Sequence, residues 1–357
     1  MKRRETGKKV IALALTVAMA MTLLPGTGLE GYAKTDKLMD DFDDIISTYN
    51  IDPSIPSYKE YKKEHEGDKK PATSIEVPAG EFVRYEESDA PATPEIYTDY
   101  EGMAGDSVLT SEDSLIEFEV TVPESGLYNV SVVYYPVEGK NSDIERSFFV
   151  DGELPFAELS LLSFTRVWAN YGESSYVNED GVTVLEWARD NQGNDVKPKT
   201  GEIPEWQSRY LYDSNGYITE PLSVYFEEGT HTISMVSLKE PMMINKLVLN
   251  NAGDAKTYEE VKAEWDAQGA KDTSGVHIVL EGEYASKTSS QMLYPQQDQS
   301  SPSVSPSSAK ALLNNSIGGN SWRLVGQWIE WDFDVPEDGY YDITLYDKPV
   351  SYTHLTL

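Results

Sequence analysis

Leu115-Ile116-Glu117-Phe118-Glu119-Val120-Thr121-Val122, then Pro123-Glu124-Ser125-Gly126, then Leu127-Tyr128-Asn129-Val130-Ser131-Val132-Val133-Tyr134-Tyr135, is the stretch that decides the fold. From Glu117 onward polar and apolar residues alternate, the period-2 pattern of a strand with one buried face. Pro-Glu-Ser-Gly has the chemistry of a turn, and the run after it is again strand-like. Downstream, Ser147-Phe148-Phe149-Val150 leads into Asp151-Gly152, a hairpin signal because both residues tolerate positive φ. Leu222 to Phe226, a turn at Glu228-Gly229, Thr232 to Val236 and Ile244 to Leu249 continue the texture. Many short strands between Gly and Pro turns, with few helices, predict an all-β fold of antiparallel sandwich type.

The same pattern returns. Trp328-Ile329-Glu330-Trp331-Asp332-Phe333-Asp334-Val335-Pro336-Glu337-Asp338-Gly339-Tyr340-Tyr341-Asp342-Ile343-Thr344-Leu345 matches Leu115 to Val132 nearly position for position. Each copy is preceded by a helix with a capping box, Ser57-Tyr58-Lys59-Glu60 in one case and Thr257-Tyr258-Glu259-Glu260 in the other, closing at Gly67 and Gly269. A helix plus a sandwich, repeated at a period of about 200 residues, predicts tandem modules. The expected division is a signal peptide at 1–33, a helical spacer at 34–74 and a first β-sandwich at 75–251. A helical linker at 252–274 and a second, truncated sandwich at 275–350 follow. The second copy covers under half the length of the first, and Ser351 to Leu357 break the repeat as a non-native tail would. The reading is an N-terminal fragment of something longer, with a sheet left open.

The first residues give the compartment. Lys2, Arg3, Arg4, Lys8 and Lys9 precede an apolar run from Val10 to Leu24, Pro25-Gly26 break it, and small residues end at Ala33. This is a secretion signal cleaved after Ala33; the apolar run is too short for the ~20 residues of a membrane span. The protein is expected to be extracellular, either secreted or held at the cell surface. The net charge of −32, more negative still once 1–33 is removed, argues against nucleic acid as a partner. With no cysteine there is neither a disulfide nor a thiolate metal site.

A search for catalysis finds nothing. The four histidines have no metal-ligand spacing, and no nucleophile elbow, Walker loop or dinucleotide glycine pattern occurs. The pairs Glu117/Glu119 and Asp332/Asp334 sit at alternate positions, which place them on one solvated strand face. No enzyme is expected. The long excursion from Phe164 to Pro221 is richer, because structureless loops of that length are uncommon inside a compact domain. Its Trp168, Trp206, Tyr210 and Tyr212 could stack on sugar rings, with Arg166, Asp190 and Asn194 bonding hydroxyls. The alternative is that these aromatics form a satellite core beneath the loop. Asn320 and Trp322, in a glycine-flanked loop, are the candidates in the second module.

The order of an acidic strand, the Val-Pro-x-x-Gly turn, the Val-Asp-Gly hairpin and Phe226-Glu227-Glu228-Gly229-Thr230-His231-Thr232-Ile233 resembles carbohydrate-binding modules of the galactose-binding-like jelly-roll type. More narrowly, Tyr134 to Lys140, Ile144-Glu145-Arg146, Asp190 to Asp195 and Ser237 to Met242 resemble long extracellular solute-binding proteins of carbohydrate ABC importers. The resemblance implies a non-catalytic region that binds an oligo- or polysaccharide, with an ABC permease as partner through a further C-terminal domain. Alternatives are an accessory module of a secreted glycoside hydrolase and a structural spacer. It also implies no cofactor beyond a structural calcium, bound by an E-x-E pair and a late aspartate. Glu281 and Glu283 have that spacing; the first copy has Glu76 and Glu81 instead, with Asn245 at the late position.

Overall fold

The computed structural model describes residues 54–347 except 89, 254, 255, 302 and 325; the segments read as a signal peptide and a non-native tail lie outside the described residues. The chain forms two compact units. The first comprises the described part of Met1–Thr165 with Glu205–Ala252, the second Arg166–Pro204 with the described part of Gly253–Leu357. Strands up to the excursion are β1 (Ile75–Pro78), β2 (Arg84–Glu87), β3 (Ala90–Pro91), β4 (Glu95–Thr98), β5 (Asp106–Thr110), β6 (Ser114–Val122), β7 (Gly126–Pro136), β8 (Ile144–Val150) and β9 (Leu162–Phe164). The excursion carries β10 (Trp168–Tyr171), β11 (Ser174–Val177), β12 (Thr183–Glu186) and β13 (Lys199–Glu202). The chain returns with β14 (Gln207–Tyr210), β15 (Ser223–Phe226), β16 (Gly229–Lys239) and β17 (Met242–Asn250). The remainder holds β18 (Lys287–Thr288), β19 (Pro295–Gln296), β20 (Ser316–Ile317) and β21 (Ile329–Glu330). Helices α1 (Tyr58–Glu64) and α2 (Tyr258–Ala267) precede the two copies.

The first unit is an antiparallel sandwich. One sheet runs β14-β7-β17-β5-β4, with β15 also on β7 and β1 also on β17; the other runs β3-β2-β6-β16-β8-β9. The alternation read from sequence sets the faces of β6, where Phe118, Val120 and Val122 are buried while Glu119 and Thr121 are exposed. On the facing sheet Tyr128, Val130, Val132 and Tyr134 point inward, and Tyr134 packs edge-on against Phe164 at 5.2 Å. At the Asp151-Gly152 turn both residues have positive φ, 52° and 72°, and Val150 bonds back to Glu153. The expected hairpin is no more than this turn, because the chain then runs into β9, which pairs with the start of β8.

The described part of the segment read as a spacer, from Ser54 onward, is part of this unit. Ser57 and Glu60 form the predicted capping box, and Tyr58 and Tyr61 are buried against Phe156 at 4.8 and 4.9 Å. Their hydroxyls accept the amides of Ser223 and Tyr225 on β15. The helix thus covers N–H groups that an edge strand would otherwise expose. Ser57→Ala should lower stability by about 1 kcal/mol in urea denaturation, the usual effect of losing an N-cap.

The second unit follows the repeat over part of its length. Arg84 pairs with Glu117 and Tyr85 with Ile116 in the first copy; Lys287 pairs with Glu330 and Thr288 with Ile329 in the second. The turn glycine is also used alike. Leu127 N donates to Lys69 O and Tyr340 N to Lys271 O, both at 2.8 Å. A Cβ on Gly126 or Gly339 would lie 2.6 Å from that carbonyl, so only glycine fits. Beyond Glu330 the copies diverge. β6 spans Ser114–Val122 and pairs with β16, whereas β21 ends at Glu330 and no strand among the described residues lies on its far side. A strand persists only where a neighbour satisfies its backbone, so the strands expected from Trp331 to Leu345 are not formed. The excursion is integrated here, with Trp168 on β10 opposite Thr288 on β18 in a sheet β13-β10-β18-β21.

Candidate functional site

The residues singled out within the excursion fall in both units. In the second unit Arg166 is buried and ion-paired to Glu202 at 2.7 Å. Trp168 is only 6% exposed within the β10–β18 sheet, so it has no ring face to offer a ligand. Its burial follows from β10 being an internal strand of that sheet. Asp190 accepts from Gln192 N, Asn194 N and Asn194 Nδ2 at 2.8–2.9 Å, closing the Asp-Asn-Gln-Gly-Asn turn. The Asn194 side chain and these amides hold its carboxyl below the usual range. Asn194 Oδ1 accepts Leu312 N. These polar groups are engaged in holding the second unit together. Asn320 lies exposed in the short turn Gly319–Ser321, and Trp322 is half exposed with its indole N–H directed to Gln327 O.

Glu281 and Glu283 are also in the second unit. Glu283 is 1% exposed, and neither carboxylate oxygen has a hydrogen-bond partner. Burial, with the neighbouring charges of Glu281 and Asp195, raises its pKa to about 8. Glu281 accepts from Ser305 Oγ at 3.0 Å. An orphaned buried carboxylate suits a cation, but calcium takes six to eight oxygens. Among the described residues no three His, Asp or Glu side chains converge on such a centre. The side chains present therefore do not by themselves make the calcium site that the resemblance implies.

In the first unit the remaining candidates meet something the sequence reading missed. Tyr134 faces the core, so by strand alternation Tyr135 faces outward, where Trp206 meets it at 5.5 Å just before β14. Tyr100 packs edge-on to Tyr135 at 5.3 Å and 90°, and lies 6.3 Å from Trp206 at 84°. Tyr97 on β4 adds a fourth ring, 5.4 Å from Tyr100. Trp206 is pinned by its indole N–H to Tyr100 O at 3.0 Å. Tyr97, the most open of the four at 38% exposed, donates its hydroxyl to Glu95. Tyr210, four residues after Trp206, donates to Asn250 Oδ1, and Tyr212 lies under the Arg209 guanidinium at 5.6 Å. Because the rings meet at 61–90° they form a stepped surface of floor and wall, not a flat plate. Fixed aromatic faces beside carboxylates and hydroxyls can stack on a ring while bonding its polar edge. The alternation of Tyr134 and Tyr135 was the signal available for Tyr135. Tyr97 and Tyr100 reach the cluster from β4 and the turn after it, and nothing local in sequence places them there.

No protein-family model matches the chain, and no curated protein matches it. Solved structures with some likeness include the β-(1,4)-mannanase of Podospora anserina with its family 35 carbohydrate-binding module (12% identity, TM-score 0.29, covering 52% of this chain and 29% of that one). Others are the C-terminal family 6 module of a laminarinase from Zobellia galactanivorans (14%, TM-score 0.26, 50% of this chain and 99% of that one) and a family 35 module from Clostridium thermocellum (12%, TM-score 0.25, 51% and 100%). Likenesses this low carry no functional argument. The all-β sandwich class rests on the strand pairing itself.

Proposed function

We propose that this chain is a non-catalytic, exported glycan-binding protein, the binding region of a receptor serving carbohydrate import. The observation that carries the reading is the interlocked Tyr97, Tyr100, Tyr135 and Trp206 surface on the outside of the larger sheet. Four large rings held together by a buried-side indole hydrogen bond, yet left partly open to solvent, form a fixed surface for another ring system. Tyr210, at the end of β14 opposite Ser131, lies on the same face by strand alternation. The acidic charge of the chain fits a neutral or cationic sugar polymer and disfavours a polyanion.

The test is isothermal titration or affinity electrophoresis of the whole chain against neutral polysaccharides and their oligomers. Wild type should bind at least one with a Kd on the order of 0.1 mM, and Trp206→Ala together with Tyr135→Ala should weaken binding tenfold or more, about 1.4 kcal/mol. Trp168→Ala serves as the contrast, lowering stability while leaving affinity in place. Binding that survives the double change overturns the site. Absence of binding to every glycan favours the structural-spacer reading.

A further inference from the structure

The outer face of the larger sheet continues past the aromatic step. Ser208 and Tyr210 follow Trp206 at alternate positions and share its face, Ser208 opposite Val133 on β7 and Tyr210 opposite Ser131. On β17, the other neighbour of β7, Leu247 and Leu249 point into the core. Lys246, Val248 and Asn250 therefore belong to the same outer face.

Tyr210 is held on this face at both ends. Its backbone is on β14, and its hydroxyl donates to Asn250 Oδ1 on β17 at 3.0 Å. Because β7 runs between those two strands, the ring crosses over it above Ser131, which is 5% exposed. A ring pinned across a strand rests one face on the sheet and turns the other to solvent, and Tyr210 is half-buried as that placement requires. Between Tyr210 and Trp206 the floor is low. Ser208 is exposed, and neither its hydroxyl nor Asn250 Nδ2 has a hydrogen-bond partner among the described residues. Across β7 from Ser208, Lys246 is neutralised by Glu76 at 2.8 Å.

The face thus carries two aromatic platforms with free polar groups between them. Four residues of strand span about 13 Å, a distance that a single hexose cannot bridge and about three linked hexoses can. Both platforms lie along one strand, so a ligand that reaches both has to be straight. Pyranose chains with β-1,4 linkages are extended ribbons, whereas α-1,4 chains coil away from such a line. We propose that Tyr210, with Ser208 and the Asn250 amide, forms a second sugar subsite, which rests on the Trp206 step being a sugar site. The face then takes an extended, uncharged, β-linked glycan of at least about three units.

Isothermal titration of the whole chain against cello-, manno- and xylo-oligosaccharides, each from disaccharide to hexasaccharide, reads the second subsite as a length dependence. In at least one series affinity should rise about tenfold from disaccharide to tetrasaccharide and then level off. Tyr210→Ala should abolish that rise and leave the disaccharide affinity within about twofold of wild type. Ser208→Leu, at an exposed position where substitution is tolerated, fills the floor between the platforms and should abolish the rise as well. Malto-oligosaccharides should show no rise. Affinity independent of length in wild type, or a length gain that survives Tyr210→Ala, overturns the second subsite while the Trp206 step stands. A rise confined to malto-oligosaccharides overturns the extended class of ligand. Failure of every series to bind overturns the sugar reading of the step, and the subsite with it.

Discussion

Phe118→Ala is expected to lower stability by about 3–5 kcal/mol in urea denaturation, while Ile343→Ala changes it by no more than about 0.5 kcal/mol. Both residues belong to the repeated motif, and sequence alone would rank them alike. Phe118 is 0% exposed between two sheets, so truncation leaves a cavity that close-packed neighbours fill only in part. Ile343 is 92% exposed and loses almost nothing on truncation. Against a typical total of 5–15 kcal/mol, the first change threatens folding and the second is silent. Equal losses at the two sites would mean that the second copy buries its motif as the first does.

Glu283→Gln is expected to remove a pH dependence of stability. The carboxyl of Glu283 titrates near 4.5 when unfolded and at about 8 when folded, chiefly because burial disfavours its charge. Between those values the folded chain holds more protons than the unfolded one, so stability falls as pH rises. The contribution is fully present below about pH 4.5, is lost progressively up to about pH 8, and is level above that. A shift of this size corresponds to roughly 5 kcal/mol at most. Urea denaturation of wild type and variant at pH 5, 7 and 9 reads it directly. The difference between the two should change steadily in favour of the variant as pH rises, and a constant difference would refute the assignment. Glutamine is the informative replacement because it keeps the shape and removes only the titration.

The strands were legible because each has a pattern that depends on itself alone. The alternation from Glu117 to Val122 requires one buried face whatever covers it, and β6, β7, β15, β16 and β17 all appear close to where the pattern places them. The capping boxes at Ser57 and Thr257 were legible for the same reason, since four consecutive residues complete the motif. The destination of each element was not. Tyr58 and Tyr258 share a local context, yet one is buried against Phe156 and β15 while the other is exposed. That outcome depends on residues 98 and more positions away.

The candidate site divides on the same line. The sequence assembled Arg166, Trp168, Asp190, Asn194, Trp206, Tyr210 and Tyr212 into one cluster because they lie in one stretch of chain. The chain itself crosses from the first unit to the second and back within that stretch. The first four residues are held by bonds and burial inside the second unit, and Trp206 instead joins Tyr97, Tyr100 and Tyr135 in the first. Aromatic residues beside Asn and Asp look alike in sequence whether they stack on a sugar or on each other. Only the count of internal partners separates the two cases.

By itself, then, the sequence determined the secondary elements, the all-β class, the existence of the repeat and the chemical type of the candidate residues. Each follows from short-range periodicity, capping and composition. Only the tertiary structure decided where the excursion packs and which aromatic rings remain open to solvent. Those outcomes depend on strand partners that the backbone brings together from distant parts of the chain, and no local pattern specifies them.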